Sequence, residues 1–516
     1  MDPRSEAAAR REPGVTDVPS KRMHAGRLAM LTASFLLLGL LNSGGYRYGG
    51  SDQAFYVPAI LRQIDPQLFP RDRVLLGAQD ELMVIDEVIG AVSRATGLGL
   101  PLLLFGAYVA TLAALALAGY GFGRQLLGTR AGAAALVLAM SIRHRVPKTG
   151  VNTLEYVFHP RLLAFAVGLV SLTALLRGRT WVALALAAAA GLLHPTTGLW
   201  FLVAAGAGSF AAERGARPIL LGLGAAASAA VLALAASGGL GGRLVVMDAE
   251  WLAILASKDY LFPTDWTLDT WLMHLLYVAV IGGTFWMRRR LAVARHNEAA
   301  LVAGLAALVA LVALTLPFVH ARVALAVQLQ VTRAMWLLDV VAVAYVVWWL
   351  VEAPRGGRPI EARRWAVALV AVLALARGAF VMFVERAGYP VLQVTLPDNE
   401  WQQAMGWLAA QPRGAHVLTH PGHAWRFGSS VRVAAARDVY LEETKDAALA
   451  MYSREIAMRV LHRTTDLGDY DRLTAAHALA LAKRYELDFL VSETTLDLPL
   501  AYSNSRFRIY RLTGGT

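Results

Sequence analysis

Long apolar runs, separated by short polar connections, fill the chain from about residue 27 to residue 384. Runs of this kind suit membrane-spanning helices, because about 20 apolar residues cross the hydrocarbon core of a bilayer. We predict eleven spanning helices, with approximate bounds 27–44, 99–121, 131–142, 161–176, 180–194, 196–212, 218–237, 270–287, 299–318, 334–351 and 365–384.

The stretch between the first two apolar runs, 45–98, predicts a long external loop. Within it, residues 80–95 vary with helical periodicity, so that one side is apolar and the opposite side is charged. A helix of this kind lies along a membrane surface rather than across it. Its apolar side carries Leu82, Ile85, Ile89 and Val92, and its charged side carries Asp80, Glu87 and Arg94.

The pattern changes after about residue 385, where polar and apolar positions mix and no spanning run follows. We predict a small α/β domain over 385–516, which is long enough to bury a core of its own. Its predicted strands are 415–420, 431–437, 487–492 and 506–512, and its predicted helices are about 441–463 and 470–485.

The composition supports this interpretation. Hydrophobic residues make up 57% of the 516 residues and charged residues 17%, whereas an ordinary soluble chain is about 45–50% apolar. The chain is therefore interpreted as a polytopic α-helical membrane protein with a C-terminal extracytoplasmic domain. It contains no cysteine, which excludes disulfides, thiolate nucleophiles and cysteine-ligated zinc.

The net charge of +12 reports membrane topology rather than nucleic-acid binding. Every second loop between the apolar runs is short and basic, as the positive-inside rule requires of cytoplasmic loops. Residues 1–26 are polar with mixed charge, and we predict a disordered cytoplasmic N-terminus. An odd number of spans then places loop 45–98 and domain 385–516 together on the outer side. The basic loops hold Arg124 and Arg130; Arg177 and Arg179; Arg214 and Arg217; Arg288, Arg289, Arg290 and Arg295; Arg355, Arg358, Arg363 and Arg364.

Asp52 is the sharpest candidate for chemistry in the external loop. It lies a few residues after the first span, in a glycine-rich turn flanked by aromatic residues. A carboxylate at that position suits a general base for an acceptor hydroxyl, or a metal ligand. The segment SDQAFYVPAI also reads as a helix start capped by Ser51, so a structural role for Asp52 stays open. In the same loop, Asp65 is expected to form a turn and Asp72 a surface ion pair with Arg71 or Arg73.

The second external loop, SIRHRVPKTGVNTLEYVFHPR, is basic on the side where cations should be scarce. Arginine and lysine clusters recognise phosphate through charge-assisted hydrogen bonds. We therefore predict phosphate binding by Arg143, Arg145 and Lys148, with lipid headgroups or acids of the first loop as alternative partners. His159, in the same loop, is a further candidate for a polar site, and so is Glu155.

Two more positions at the predicted outer boundary are candidates. His194 precedes Pro195, which breaks the helix beside a titratable ring. Arg333, in LQVTRAMWLLD, suits a lipid-linked phosphate, although a side chain that reaches the headgroups is the structural alternative. Asp339 of the same segment is interpreted as the partner of a basic residue.

Three residues of the predicted C-terminal domain are interpreted as contacts for a sugar or the membrane, or as ordinary surface: Trp425, Arg426 and Arg432. The chain has no nucleotide-binding loop, HExxH motif or G-x-S-x-G elbow.

The whole layout resembles the GT-C superfamily of membrane glycosyltransferases, which use sugars linked to polyprenyl phosphate. The segment SDQAFYVPAI matches the acidic-loop position after the first helix, 80–95 matches a surface helix, and 385–516 matches an outer domain. The chain is also similar to a little-characterised group of bacterial GT-C-like membrane proteins. That similarity lies in the first-loop pattern DQ-FY-P…DP-LF-D, the His-Pro step and the terminal FRIYRL strand.

The resemblance implies that Asp52 is the catalytic or metal-binding acid and that Arg333 contacts the phosphate of the carrier. Many GT-C enzymes have two adjacent acids in this loop, whereas Gln53 follows Asp52 here. This difference counts against a requirement for a divalent cation, and the cofactor stays open.

On the resemblance, we expect a glycosyltransferase in the bacterial inner membrane. It would move a sugar from a polyprenyl-phosphate donor to a glycan or lipid acceptor on the periplasmic side. Its expected partners are membrane lipids, the donor and the acceptor, and no nucleic acid. A transporter or flippase of a lipid-linked or anionic substrate, and a non-catalytic membrane scaffold, are the alternatives.

Overall fold

The computed structural model describes residues 21–80, 83–352 and 359–513. Within the predicted disordered segment 1–26, residues 1–20 lie outside the described part, and the first helix begins at Lys21. Each of the eleven predicted spans falls on a helix. These helices are α1 Lys21–Asn42, α5 Leu100–Leu126, α6 Arg130–Met140, α7 Pro160–Leu176, α8 Thr180–Leu193, α9 Pro195–Ala212, α10 Arg217–Ala236, α12 Leu268–Arg290, α13 Glu298–His320, α15 Met335–Val351 and α16 Ile360–Phe380.

Seven helical segments in the described ranges are long and apolar enough to cross a membrane: Ala25–Asn42, Leu100–Leu126, Arg214–Ala236, Leu268–Arg290, Glu298–His320, Ala324–Val351 and Ile360–Glu385. The chain is therefore a multi-pass membrane protein. Three more of the eleven helices are apolar but shorter. The count of eleven spans remains a prediction.

The helices pack closely where small residues meet. A Cβ on Gly304 in α13 would lie 2.2 Å from the carbonyl oxygen of Ala204 in α9, so only glycine permits this crossing. Large aromatic side chains fill the wider gaps, and the rings of Phe165 and Trp336 stack with centroids 3.7 Å apart. By contrast, α10 buries none of its residues. The core therefore lies between α5, α7, α9, α13 and α15.

The predicted external loop 45–98, called the first loop below, folds as three helices: α2 Gln53–Ile64, α3 Arg73–Asp80 and α4 Ile85–Thr96. The predicted surface helix 80–95 therefore begins at Ile85, and Leu82 lies outside the described residues. Strand β1 Tyr46–Arg47 pairs in parallel with β4 Leu392–Gln393. This pairing joins the start of the first loop to the start of the C-terminal region.

The remaining strands of the helical part form a short hairpin, β2 Arg145–Val146 with β3 Val151–Asn152. Two further short helices are α11 Ala249–Leu255, in the connection between α10 and α12, and α14 Ala324–Leu329, at the start of the apolar segment Ala324–Val351. The span that begins at α14 is interrupted by a 3-10 turn, Val331–Ala334, before α15 continues it. Gln330 has a φ of +49° at this break, which carries the chain out of the helical path.

The C-terminal domain has a five-stranded sheet in the order β6-β5-β7-β9-β8. The strands β5, β6 and β7 are parallel, β9 pairs antiparallel with β7, and β8 pairs antiparallel with β9. The strands are β5 His416–Leu418, β6 Asp438–Val439, β7 Phe489–Ser492, β8 Leu500–Ser503 and β9 Arg508–Arg511. The helices are α17 Glu400–Ala409, α18 His423–Arg426, α19 Val431–Ala434, α20 Glu443–Leu449, α21 Arg454–Leu467 and α22 Ala475–Tyr485.

The predicted strand 431–437 is wrong. Residues Val431–Ala434 form the short helix α19 because Ser430 caps it, with its hydroxyl accepting from the backbone N–H of Arg432 at 3.2 Å. The predicted helix 441–463 is divided at Ser453 between α20 and α21, and the predicted helix 470–485 begins at Ala475. Helix α17 and strand β8 were not predicted.

A buried charge cluster fastens the C-terminal domain to the first loop. The guanidinium of Arg432 donates to Asp72 at 2.7 Å and to Asp446 at 2.6 Å, and Arg459 also pairs with Asp72. Asp72 and Arg432 are almost completely buried. The prediction of a surface acid at Asp72 is therefore wrong, since its partners come from the C-terminal domain and not from Arg71 or Arg73. The first loop and the C-terminal domain consequently lie on the same side of the helical bundle.

Candidate functional site

The carboxylate of Asp52 is held by two donors from distant parts of the chain. Asp52 occupies the residue before α2, but its side chain makes no capping hydrogen bond. One of its oxygens accepts from the ammonium of Lys445 at 2.9 Å, and the other accepts from Nε2 of His159 at 3.1 Å. About a third of the side chain, 34%, stays exposed. The carboxylate therefore binds Lys445 and His159 and does not cap the helix.

The hydrogen bonds fix the protonation of His159. The backbone N–H of Arg161 donates to Nδ1 of His159 at 3.2 Å, so Nδ1 carries no proton. The proton must then be on Nε2, which donates it to Asp52. Burial, together with the nearby Arg161, lowers the pKa of His159. The imidazole is therefore neutral at pH 7.

Asp52 is ionised in the same arrangement. Burial alone would raise the pKa of Asp52, but the ammonium of Lys445 and the donor of His159 hold it well below its usual range. Asp52 likewise raises the pKa of Lys445 against the opposing effect of burial. At pH 7 the site thus contains one carboxylate, one ammonium and one neutral imidazole.

Asp52 faces a polar cavity of about 460 Å³, called the Asp52 cavity below. The first loop, the loop before α7, the α8–α9 junction, the break before α15 and the C-terminal domain all contribute to its wall. Asp52 is the single carboxylate among the described residues that line it. The lining residues are Asp52, Phe55, Tyr56, His159, Arg161, His194, Tyr260, Arg333, Ala448, Leu449, Met451 and Tyr452.

Arg333 reaches the Asp52 cavity from the 3-10 turn that precedes α15. In the described ranges, no carboxylate lies within ion-pair distance of its guanidinium, and its buried Nε has no hydrogen-bond partner. The guanidinium lies over the ring of Tyr260, 5.7 Å from the centroid. Arg161 differs, since it is paired with Glu155 at 2.9 Å. Arg333 is therefore the cation of this cavity that remains available to an anion.

His194 joins the cavity at the junction of α8 and α9. Its Nδ1 accepts from the backbone N–H of Thr197 at 3.3 Å and from the hydroxyl of Thr197 at 3.0 Å. The N–H of its ring is accordingly Nε2. The rings of His194 and His159 lie 6.3 Å apart. Four of the residues predicted from the sequence, Asp52, His159, His194 and Arg333, thus line one cavity.

The three remaining phosphate candidates lie elsewhere. Arg143 and Arg145 line a separate cleft of about 1790 Å³ between the helical part and the C-terminal domain. Lys148 pairs with Asp259. The basic loop therefore does not bring its three cations to one place. His144, from the same loop, lies 3.0 Å from Asp339 and is the basic partner that was predicted for this acid without being named.

The cleft and the Asp52 cavity adjoin each other at the Asp52–Lys445 pair. Ser51, Ala54 and Lys445 line the cleft, whereas Asp52 and Tyr56 line the Asp52 cavity. The ammonium of Lys445 also lies 5.9 Å from the ring centroid of Trp425, which lines the cleft. Molecules bound in the two spaces would meet at the Asp52–Lys445 pair.

Comparison with known proteins adds little to this geometry. No protein-family model and no curated protein matches the chain. A cryo-EM structure of the arabinofuranosyltransferase AftD from Mycobacteria aligns with 96% of this chain, at 14% sequence identity and a TM-score of 0.34. The chain spans 40% of the length of that protein. At this TM-score the likeness does not establish a common fold.

A divalent cation does not fit the Asp52 cavity. Cations of this kind prefer several oxygen ligands, and Asp52 is the one carboxylate in the described wall. The ammonium of Lys445, 2.9 Å from the carboxylate, also repels a second cation at that position. Over the described ranges, no three acidic, histidine or cysteine residues gather as a metal site. We therefore assign no step to a metal.

Lys445, Arg161, Tyr260 and Tyr452 belong to the site but were not predicted from the sequence. Lys445 is 393 residues from Asp52, and nothing in the local sequence of α20 marks it. Arg161 had a signal. The chain contains three His-Pro steps, and two of them, His159-Pro160 and His194-Pro195, precede an apolar run and begin a helix at the cavity. The recurrence of that step would have paired the two histidines and drawn attention to Arg161.

Proposed function

We propose that the protein is a membrane glycosyltransferase that moves a sugar from a polyprenyl-phosphate donor to an acceptor hydroxyl, with Asp52 as the general base. The observation that carries the proposal is that the Asp52 carboxylate lines one space and pairs with Lys445, which lines the adjoining space. One space contains an arginine, Arg333, without a carboxylate partner in the described ranges. The other space is large enough for an acceptor.

The donor would place its phosphate in the Asp52 cavity, against Arg333 and the Nε2–H of His194. Arginine suits this role because its guanidinium donates charge-assisted hydrogen bonds to phosphate oxygens. The acceptor would enter from the cleft. Its hydroxyl oxygen would bond to the anomeric carbon as the bond from that carbon to the phosphate oxygen breaks.

In that displacement the electron pair of the broken bond goes to the phosphate, and the hydroxyl proton goes to Asp52. The configuration at the anomeric carbon inverts, since attack and departure are on opposite faces. The protein contributes positioning and neutralisation of the leaving phosphate, and no covalent intermediate is needed. The proposed location is the outer face of a bacterial inner membrane, with a cytoplasmic N-terminus and a periplasmic C-terminal domain.

Replacing Arg333 by glutamine tests the donor site. We expect the KM for the polyprenyl-phosphate sugar to rise about tenfold or more, because a hydrogen bond to a charged group contributes about 1.5–3 kcal/mol. Transfer of radiolabelled sugar by the purified protein in liposomes measures this, with a panel of polyprenyl-phosphate sugars as donors and extracted envelope glycans and lipids as acceptors.

Arg377→Gln is the matched control, because Arg377 lies at the end of α16, pairs with Glu385 at 3.2 Å and lines neither space. An unchanged KM in Arg333→Gln would contradict the assigned donor site. If the wild type transfers no sugar from any donor but moves a labelled donor across the bilayer, the protein is a flippase and the proposal fails.

Replacing Lys445 by methionine is expected to shift the pH dependence of transfer. Lys445 holds the pKa of Asp52 well below its usual range, so its loss raises that pKa. A base with a higher pKa is protonated, and thus inactive, up to a higher pH. The acidic limb of kcat/KM, which reports the free enzyme, should therefore move to higher pH.

The control for this shift is Lys258→Met. Lys258 lies near Lys445, but its ammonium donates to the carbonyl oxygen of Thr444 at 3.1 Å and not to Asp52. Its replacement should move the acidic limb much less than that of Lys445, because Lys258 acts on Asp52 through charge alone and without a hydrogen bond. Equal pH profiles for Lys445→Met and the wild type would show that Asp52 is not the group that titrates in the reaction.

A further inference from the structure

The cleft beside the Asp52 cavity is lined by arginines that lack acidic partners. Arg47, Arg143, Arg145 and Arg386 line it, and none has a carboxylate within ion-pair distance in the described part of the chain. Arg47, Arg143 and Arg386 each follow closely on the end of an apolar helix. A concave surface with four unneutralised arginines attracts anions and concentrates them.

Two of these arginines are held in place by the protein. The guanidinium of Arg47 lies between the rings of Tyr156 and Tyr389, 4.7 and 4.6 Å from their centroids. The Nε of Arg143 donates to the carbonyl oxygen of Leu154 at 2.9 Å, which leaves its terminal nitrogens for another acceptor. Cations that are already oriented lose little side-chain entropy when they bind a ligand.

On the opposite wall of the cleft, formed by the C-terminal domain, the arginines are paired with an acid. Arg426 and Arg506 line it, but both pair with Glu493, at 3.1 and 2.7 Å. The described lining contains two acids. Glu155 is paired with Arg161, and Glu400 belongs to the C-terminal domain. The excess positive charge thus lies on the wall formed by the helical part, near Arg47 and Arg143.

Aromatic rings supply a second kind of contact. The side chain of Trp425 is 64% exposed although it lines the cleft. Exposed aromatic faces pack against the apolar faces of sugar rings, and Tyr156 and Tyr389 offer further ring surface near the arginines. Trp425 is also next to Lys445, which pairs with Asp52. A saccharide lying on Trp425 would extend from the candidate base to the arginines.

We infer that the cleft binds an anionic saccharide, one that carries carboxylate or phosphate groups, and that this saccharide is the acceptor. Its role as acceptor rests on the proposed glycosyltransferase function, whereas its binding does not. The negative groups would contact Arg47, Arg143 and Arg386, and a neighbouring sugar ring would lie on Trp425 with a hydroxyl towards Asp52. Phospholipid headgroups offer the same anion chemistry, so the test must separate the two sources.

The test is equilibrium binding to the full-length protein in nanodiscs of zwitterionic phosphatidylcholine, without any donor. The anionic probes are tetragalacturonate and a phosphorylated maltotetraose, and their neutral counterparts are the galacturonate methyl ester and maltotetraose. Isothermal titration calorimetry measures each Kd. We expect at least one anionic probe to bind about tenfold or more tightly than its neutral counterpart.

The double variant Arg47→Gln/Arg386→Gln is expected to lose the preference for the anionic probe. The double variant Arg47→Lys/Arg386→Lys keeps the positive charges and is expected to retain part of that preference. The comparison shows whether the loss is due to charge or to misfolding. Arg472→Gln is the control, because the side chain of Arg472 is 88% exposed and lies outside the cleft. Equal binding of anionic and neutral probes, or an unchanged preference in the glutamine variant, overturns the inference.

The lipid arm uses nanodiscs that contain phosphatidylglycerol. If neither anionic probe binds, and the wild type retains phosphatidylglycerol through purification while the glutamine variant does not, the ligand is a headgroup and the inference fails. Because no donor is present, either result is independent of sugar transfer. A protein that binds the anionic saccharide but transfers nothing would contradict the proposed function and leave the binding site standing.

Discussion

Replacing Asp52 by asparagine should lower the rate of sugar transfer by about 10²–10⁴-fold, which is the usual contribution of a general base. Asparagine has nearly the same shape, and its carbonyl oxygen can still accept from Lys445. It cannot take the proton of the acceptor hydroxyl. The affinity for the donor should change little, since Arg333 and His194 remain. The initial rate at saturating donor and acceptor, together with the donor Kd, measures both effects.

Asp65→Asn is the matched control in the same loop. Asp65 pairs with Arg413 at 3.2 Å and does not line the Asp52 cavity. The Asp65→Asn variant should transfer sugar at the wild-type rate. If Asp52→Asn were as active as Asp65→Asn, Asp52 would have only a structural role, in keeping with the open alternative from the sequence. If the lower transfer rate of Asp52→Asn were accompanied by a matching loss of thermal stability, Asp52 would again have only a structural role.

The helical part was predictable because the bilayer imposes a simple requirement. Backbone groups in hydrocarbon must be satisfied within the segment, so apolar runs there become helices. The eleven predicted segments all fall on helices, and the strands of the C-terminal sheet follow the change in composition near residue 385. Arg333 was expected at the edge of a single helix. The break at Gln330 that directs it into a cavity has no clear hydropathy signal.

The C-terminal domain was less predictable because short elements depend on tertiary contacts. The segment VRVAAAR alternates apolar and polar residues at its start, which is typical of a strand. Its arginine, Arg432, is buried against Asp72 and Asp446, and a short helix positions it there. The pattern of one segment cannot show that a charged residue will meet acids from two other segments.

The Asp52 cavity was predicted in part for the same reason. Asp52, His159, His194 and Arg333 carried local signals: a glycine-rich turn, a polar loop, a His-Pro step and an arginine beside an apolar run. Lys445 carried none, since a lysine in a polar helix is ordinary surface in most proteins. It became part of the site through the docking of the C-terminal domain on the first loop.

That docking leads to a prediction about stability. Replacing Arg432 by glutamine is expected to destabilise the C-terminal domain by about 3–5 kcal/mol, the usual effect of removing one partner from a buried ion pair. Asp446 would lose its arginine, and among the described residues Asp72 would keep Arg459 and the backbone N–H of Val439. Both carboxylates are buried, so water could not replace the lost donor without opening the domain. Thermal unfolding of the detergent-solubilised protein, followed by tryptophan fluorescence and by proteolysis of the domain, measures the loss.

The control is Arg484→Gln, which removes an exposed pair with Asp466 and should change the free energy of unfolding by about 0–1 kcal/mol. Equal stability of the two variants would show that the buried cluster does not hold the domain. Arg432→Gln should also slow sugar transfer, because Asp446 lies next to Lys445 in α20 and the same helix leads into the wall of the Asp52 cavity. Transfer that survives with the domain detached would mean that the reaction does not need Lys445, and that Asp52 works with the helical part alone.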